Sequence, residues 1–234
     1  METYRSEEEQ VEALKRWWDE NGRSTVIGIA LALVGVFGWQ GWQEYSQGQR
    51  DAASDIYQQL LQAAGGAAQS PAQQGVAERL AQRLKDEYAG STYAQFAGLQ
   101  LARLAVADGD LEQAESELRA VLADASSGGD VALVARQRLA RVVAARGETD
   151  AALALLDVSG SHPYQASYAL ARGDILFGEG RRADALGAYQ LARQLESESP
   201  GQLNLASLER KLARLSPVSP EAPEPAPTAA EVEQ

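Results

Sequence analysis

The chain has 234 residues, with 33 Asp and Glu against 21 Lys and Arg, a formal charge of −12; a nucleic-acid backbone would be repelled, and no basic stripe along the sequence offsets this. Cysteine is absent and His162 is the single histidine, which excludes disulfide scaffolds, thiol nucleophiles, Cys-ligated zinc, iron–sulfur centres and an acylated-cysteine anchor. With neither a phosphate-cradling glycine loop nor a nucleophile elbow, no enzyme, metal or cofactor is expected, and the recurrence of Ala, Leu, Gln and Arg reads as all-α.

Residues 1–23 open the chain with Ser6 and Glu9 at capping-box spacing, followed by an apolar stripe of Val11, Leu14 and Trp18. A short amphipathic helix is expected there, ending at Asn21-Gly22 as a C-cap. It would lie on a membrane surface, dock on a partner or orient the apolar run after it.

Ser24 to Gln43 are twenty residues without a formal charge, long enough as a helix to cross about 30 Å of hydrocarbon. Trp17 and Trp18 stand on one side, Trp39, Trp42 and Tyr45 on the other, as two interfacial aromatic belts require. A membrane-spanning helix over 24–43 is expected. Arg5, Lys15, Arg16 and Arg23 precede it, whereas Arg50 is the one cation in the next twenty residues, so the N terminus is expected on the cytoplasmic side. A cleaved signal peptide is the competitor. The long acidic stretch ahead of the apolar run and the lack of an Ala-x-Ala site oppose it, leaving Ser46-Gln47-Gly48 as a weak cleavage site. Within the span Gly28, Ala32 and Gly35 fall at i, i+4 and i+7, a small-residue face where another helix could pack.

Residues 44–215 are expected to form a helical repeat domain, its first helix continuing from the span. Helical spacing over Asp51–Ala64 (Ile56, Leu60, Leu61) and Gln73–Tyr88 (Val76, Leu80, Leu84, Tyr88), broken by Gly65-Gly66 and Ser70-Pro71, predicts an N-terminal capping hairpin. Beyond it the hexapeptides starting at Gly109, Gly147 and Gly180 share glycine, four residues, then alanine (Ala114, Ala152, Ala185), at separations of 38 and 33 residues. Each glycine would end a helix A by taking positive φ, and each alanine would sit where helix B crosses it closely. This resembles the tetratricopeptide repeat. The third unit fits best, with Gly173, Gly180, Ala185, Tyr189 and Ala192 at the small, turn, small, aromatic and small positions; the earlier units put Ala102 and Ala140 for Gly173, Leu118 and Leu156 for Tyr189, and Val121 and Ser159 for Ala192. A closing helix over Leu203–Leu215 would present Leu205, Leu208, Leu212 and Leu215 on one side. From Ser216 the prolines alternate with alanine and glutamate, and a disordered tail is expected over 216–234.

Ser161-His162-Pro163 reads as an N-cap, a solvated histidine and a first helical residue. Asp108, Asp110 and Glu112 crowd a turn without the spacing of a calcium loop. A repeat of this kind offers a concave face lined by successive A helices. By repeat register Phe96, Leu99, Arg103 and Val106 line it from the first unit; Val134, Gln137, Arg141 and Ala144 come from the second. Ser167, Leu170, Asp174 and Phe177 complete it. Mixed apolar and charged character suits a protein ligand; the alternative is that the same side chains merely solvate a groove or pack against an N-terminal element. The lysine and asparagine pairs that clamp a peptide carboxylate in some such repeats are missing, with Leu99, Gln137 and Leu170 at one clamp position and Arg103, Arg141 and Asp174 at the other.

The order of parts resembles a family. An acidic start, Glu8 to Trp18 (Glu-Glu-Gln-Val-Glu-Ala-Leu-Lys-Arg-Trp-Trp), then Asp19-Glu20-Asn21-Gly22, one anchor and about three degenerate repeats are similar to the YfgM-type ancillary subunits of the bacterial Sec translocon over roughly residues 1 to 215. The resemblance implies a single-pass protein of the bacterial inner membrane, its bulk in the periplasm. As partners it implies the SecYEG channel, a membrane-anchored periplasmic chaperone of the prolyl-isomerase-like kind, and emerging envelope polypeptides. It also implies a link to an envelope-stress response; a separate alternative makes the chain a regulator of that response acting through its cytoplasmic helix. From the residues alone, an anchored or soluble repeat scaffold unrelated to the translocon stays open.

Overall fold

The structure is a computed structural model and describes residues 2–126 and 128–215, except the side chains of 2–8 and 69. The expected disordered tail, 216–234, and the Ser6 capping box lie outside the described residues. The chain divides into two compact units, Met1–Asp55 and Ile56–Gln234. Every element among the described residues is helical, as composition demanded.

Helix α1 runs uninterrupted over Glu2–Gly66, so the C-cap expected at Asn21-Gly22 is not formed. The groups that would end the helix turn back into it instead: Asn21 Nδ2 donates to the carbonyl of Trp17 (3.2 Å), and Ser24 Oγ and Thr25 Oγ1 donate to that of Asn21 (3.2 and 2.9 Å). Gly22 has a reason to be small, since a Cβ there would meet the Trp18 indole at 3.2 Å. Within the first unit the apolar run is exposed from Val26 onward. This is the one helix among the described residues that is long and apolar enough to cross a membrane.

In the second unit the end of α1 buries Ile56, Leu60 and Ala64, and a 3₁₀ turn (Ala67–Gln69) leads to α2 (Pro71–Glu87). Ser70 caps α2 by accepting from Gln73 N–H, with Pro71 at the first helical position. The inward face of α2 is Ala77, Ala81 and Leu84; Val76, expected inside, is exposed.

Three A/B hairpins come next: α3 (Thr92–Asp108) with α4 (Leu111–Asp124), α5 (Asp130–Ala145) with α6 (Thr149–Leu155), and α7 (Gln165–Gly178) with α8 (Arg182–Glu198). The three repeated glycines behave alike. Gly109, Gly147 and Gly180 have φ of 80°, 89° and 77°, and after each A helix the residue past the glycine donates back five residues, Asp110 to Ala105, Glu148 to Val143 and Arg181 to Leu176. This is the Schellman motif, which satisfies carbonyls that the helix leaves open. Ala114, Ala152 and Ala185 are each 0% exposed. Each sits where A and B pack together. Asp110, in the acidic turn, accepts from Gln113 N–H at 2.9 Å and is the N-cap of α4.

The degenerate positions are filled coherently. Leu118 and Leu156 are buried like Tyr189, and Val121 like Ala192. Ser159 departs from the expectation: α6 ends at Leu155, so Ser159 is exposed and outside any helix. The connection after this short helix also moves the expected cap. Tyr164, not Ser161, is the N-cap of α7, and the helix begins at Gln165, two residues past Pro163. His162 directs this start, its Nδ1 accepting the Tyr164 N–H (3.2 Å) and its ring lying edge-on to Tyr168 at 4.7 Å. That burial lowers the His162 pKa.

Helix α9 (Leu205–Leu215) closes the array with Leu208 and Leu212 buried, while Leu205 is exposed. Its approach is held by buried Glu196, whose carboxylate accepts the N–H groups of Gly201, Gln202 and Leu203. From α2 to α9 each helix packs on its chain neighbour, with α3 on α5 and α5 on α7, the nearest-neighbour order of a solenoid. Among the fully buried side chains, Leu60, Leu84, Leu118 and Leu208 each contribute about 1.5–3 kcal/mol by burial.

Candidate partner-binding face

The A helices α3, α5 and α7 carry the expected groove residues, and the structure sorts them by use. Leu99 is buried core. Phe96 packs against Tyr57 and Tyr93 at ring distances of 5.6 and 6.4 Å, so the end of α1 covers the start of the groove. Arg103 reaches the same element, donating to the carbonyl of Ala64 (3.1 Å) as well as to Gln100 (2.9 Å). In the first unit, then, Phe96 and Arg103 pack on an N-terminal element, the end of α1, whereas Arg141 and Phe177 of the later units are exposed.

Val134 is half-buried against the core, and Gln137 donates across to the Ser167 carbonyl on α7 (3.0 Å). Leu170 is half-buried beside α8 and α9. Asp174 is the junction of four helices. It accepts from Tyr189 Oη (2.9 Å), pairs with Lys211 of α9, and stands 3.6 Å from Arg141 of α5. Burial, then the hydrogen bond to Asp174 and its charge, raise the Tyr189 pKa. Phe177 is 38% exposed, with the Arg182 guanidinium 5.8 Å above its ring.

Three cavities succeed one another along this face. The first, 330 Å³, lies among α3, α4 and α5 with apolar walls from Val106, Leu111, Leu118 and Val142. Arg103, Arg138 and Arg141 also line it. The second, 490 Å³, shares Arg141 with the first and reaches Asp174 and Glu179. The third, 170 Å³, shares Asp174 and continues to Phe177, Lys211 and Arg214. Register counting missed Arg138, Val142 and Ala145, which lie one residue round the helix from Gln137, Arg141 and Ala144. The i, i+3 spacing of Arg138 and Arg141 was the available signal. Lys211 and Arg214 were missed because they belong to the closing helix.

In the first unit Gly28, Ala32 and Gly35 are exposed on α1, and a Cβ at Gly28 or Gly35 would meet nothing within 4 Å.

The profile of the tetratricopeptide repeat-like domain family matches residues 15–216. An ancillary SecYEG translocon subunit of Escherichia coli (strain K12) is 33% identical over 190 residues, covering 81% of this chain and 88% of that protein. One of Aggregatibacter actinomycetemcomitans is 31% identical over 209 residues, 89% of this chain and 95% of its own. One of Haemophilus influenzae (strain ATCC 51907 / DSM 11121 / KW20 / Rd) is 29% identical over 199 residues, 84% and 93% of the two chains. The family profile over residues 15–216 and the relatives' similarity over most of both chains agree with the helix hairpins seen here: the chain belongs to the ancillary SecYEG translocon subunits, built on a tetratricopeptide repeat-like domain.

Proposed function

We propose that the chain is a non-catalytic subunit anchored in the bacterial inner membrane beside SecYEG, presenting its repeat face to protein chains in the periplasm. The observation that carries this reading is the match to relatives named ancillary SecYEG translocon subunits over most of both chains. The exposed apolar run within α1, 24–43, supports the anchor, since in water it would leave a large uncovered patch. Gly28, Ala32 and Gly35 supply a face for a translocon helix. The cavities along α3, α5 and α7 supply a second face, for emerging envelope polypeptides and for a membrane-anchored, prolyl-isomerase-like chaperone that takes them over.

Photocrosslinking in intact membranes tests both faces, with probes at Gly35 and at Arg141 and Phe177. Expected are products with translocon helices from Gly35 and with a periplasmic chaperone or an emerging chain from Arg141 and Phe177. A membrane-bound protein giving no translocon product from Gly35 would sink the translocon assignment.

A further inference from the structure

In a chain of formal charge −12, folding brings three guanidiniums to the rim of one apolar pocket. Arg103 comes from α3, and Arg138 and Arg141 lie one turn apart on α5. Their partners are poor in charge. Arg103 donates to Gln100 and to a backbone carbonyl, and Arg138 to the carbonyl of Leu99 at 3.5 Å. Arg141 has a carboxylate at 3.6 Å, but Asp174 is already held by Lys211 and Tyr189. Burial, then the charge of Arg103 and to a smaller degree that of Arg141, lowers the Arg138 pKa. A guanidinium does not deprotonate at ordinary pH, so this crowding is a standing cost that an anion would relieve.

The pocket beneath is 330 Å³ and its walls are Ala102, Val106, Leu111, Leu118, Val142 and Ala145. That is the lower end of the range for ligand sites, about 300–1,000 Å³, and suits one or two aliphatic side chains. Guanidiniums recognise carboxylates with paired, planar hydrogen bonds. An apolar floor with such a rim does not suit a sugar–phosphate backbone, which has nothing to fill it.

We infer that this pocket binds a segment of a partner protein in which an aliphatic side chain is flanked by glutamate or aspartate, the aliphatic group filling the pocket and the carboxylates bridging Arg103, Arg138 and Arg141. The inference rests on the repeat face being the partner-binding face, and names its ligand chemistry. Selection would come from the pairing of charge with apolar bulk: a purely apolar segment leaves the arginines unrelieved, and a basic one is repelled.

The test uses the full chain in detergent micelles and fluorescence anisotropy with short labelled peptides, leucine flanked by glutamates, the same with glutamine, and the same with lysine. The glutamate peptide should saturate, weaken with salt, and bind at least about tenfold more tightly than the glutamine peptide, the scale of a charge-assisted contact. Arg138→Gln with Arg141→Gln should abolish this preference. Because Arg138 is partly buried and such a variant could unfold, Val106→Glu is the second variant. Val106 is 45% exposed at the pocket, so its carboxylate would occupy the rim from within and also abolish binding while helical circular dichroism is unchanged. Equal binding of the three peptides, no binding of any, or unchanged affinity in a folded Val106→Glu chain overturns the inference. The chain's own residues 216–234 include Glu221, Glu224, Glu231 and Glu233 and no cation. A chain ending at Leu215 that binds the glutamate peptide about tenfold better than the full chain would make that segment the occupant and overturn the partner proposal. The Gly35 photocrosslink is read on the chain with its arginines unaltered, beside the peptide titration: a translocon product without peptide binding rejects this inference alone, and peptide binding without a translocon product rejects the translocon reading alone.

Discussion

Gly173 shows how a single position fixes the close approach of two helices. A Cβ there would lie 2.5 Å from the Tyr189 ring, whose hydroxyl is tied to Asp174. Gly173→Ala should destabilise the domain by about 1–3 kcal/mol, the cost of overpacking a well-filled core. Where the first two repeats have alanine at this position, Ala102 and Ala140, they have leucine opposite, Leu118 and Leu156. Adding Gly173→Ala to a Tyr189→Leu chain should therefore cost little, and urea denaturation of the four chains gives the coupling directly; equal costs in both backgrounds would refute the paired fit. Tyr168 carries a pH signature. Its hydroxyl donates to the Leu133 carbonyl at 2.7 Å, and burial pushes its pKa up to about 12. A folded-state pKa above the unfolded value of about 10 means the unfolded chain loses its proton first. Stability is unaffected by this group below pH 10 and falls as pH rises through the interval from about 10 to 12. Urea midpoints at pH 9 and at pH 11 should show this fall, and Tyr168→Phe should remove part of it; an identical slope in the variant would exclude Tyr168 as a source.

The elements differ in how openly the sequence announces them. The three Gly-x-x-x-x-Ala turns were legible because a positive φ and a close crossing each admit few residue types. Two failures have a common cause, that a local stop signal is decided by what its side chains bond to. Asn21-Gly22 carries the letters of a C-cap, but Asn21, Ser24 and Thr25 bond within the helix and α1 continues. Ser161-His162-Pro163 carries the letters of an N-cap, but the His162 ring, seated on Tyr168, takes the Tyr164 N–H and moves the start of α7. On the candidate face, helix register located Arg103 and Arg141, and missed Arg138 because a rotation of one residue is below what periodicity resolves. Helix α6 is governed by its ends as well. It has seven residues, no side-chain cap, and one buried residue within it, Ala152. Too short to hold itself by propagation, it depends on α5 and α7 for its order. Its amides should exchange with solvent well before those of α5, α7 and α8 in native-state hydrogen exchange. Protection equal to that of α5 would show that the second hairpin opens only with the whole domain.

For the whole molecule the decisive quantity is the distribution of charge about the apolar run, because a chain that inserts with one orientation exposes its repeats to one compartment only. Arg5, Lys15, Arg16 and Arg23 lie before residue 24 and Arg50 alone soon after residue 43. Acidic residues weigh little in this rule, so the many glutamates of the first segment do not reverse it. The N terminus should remain in the cytoplasm and residues 44 onward should enter the periplasm. The absence of cysteine makes the measurement clean, since any introduced thiol is the sole target of a membrane-impermeant maleimide. Ser159→Cys, exposed after α6, should label in cells whose outer membrane alone is permeabilised; Glu12→Cys, also exposed, should label only after the inner membrane is broken. Both should carry the label on the uncleaved chain; a cut near Gly48 would put the Ser159→Cys label on a shortened chain and remove the Glu12→Cys label from it. Replacing Lys15, Arg16 and Arg23 by glutamine removes three of the four leading cations and should bring part of the Glu12→Cys population into reach from the periplasm. If the two sites label in the opposite order in the unaltered background, the repeat face lies in the cytoplasm, and emerging periplasmic chains cannot be what it receives.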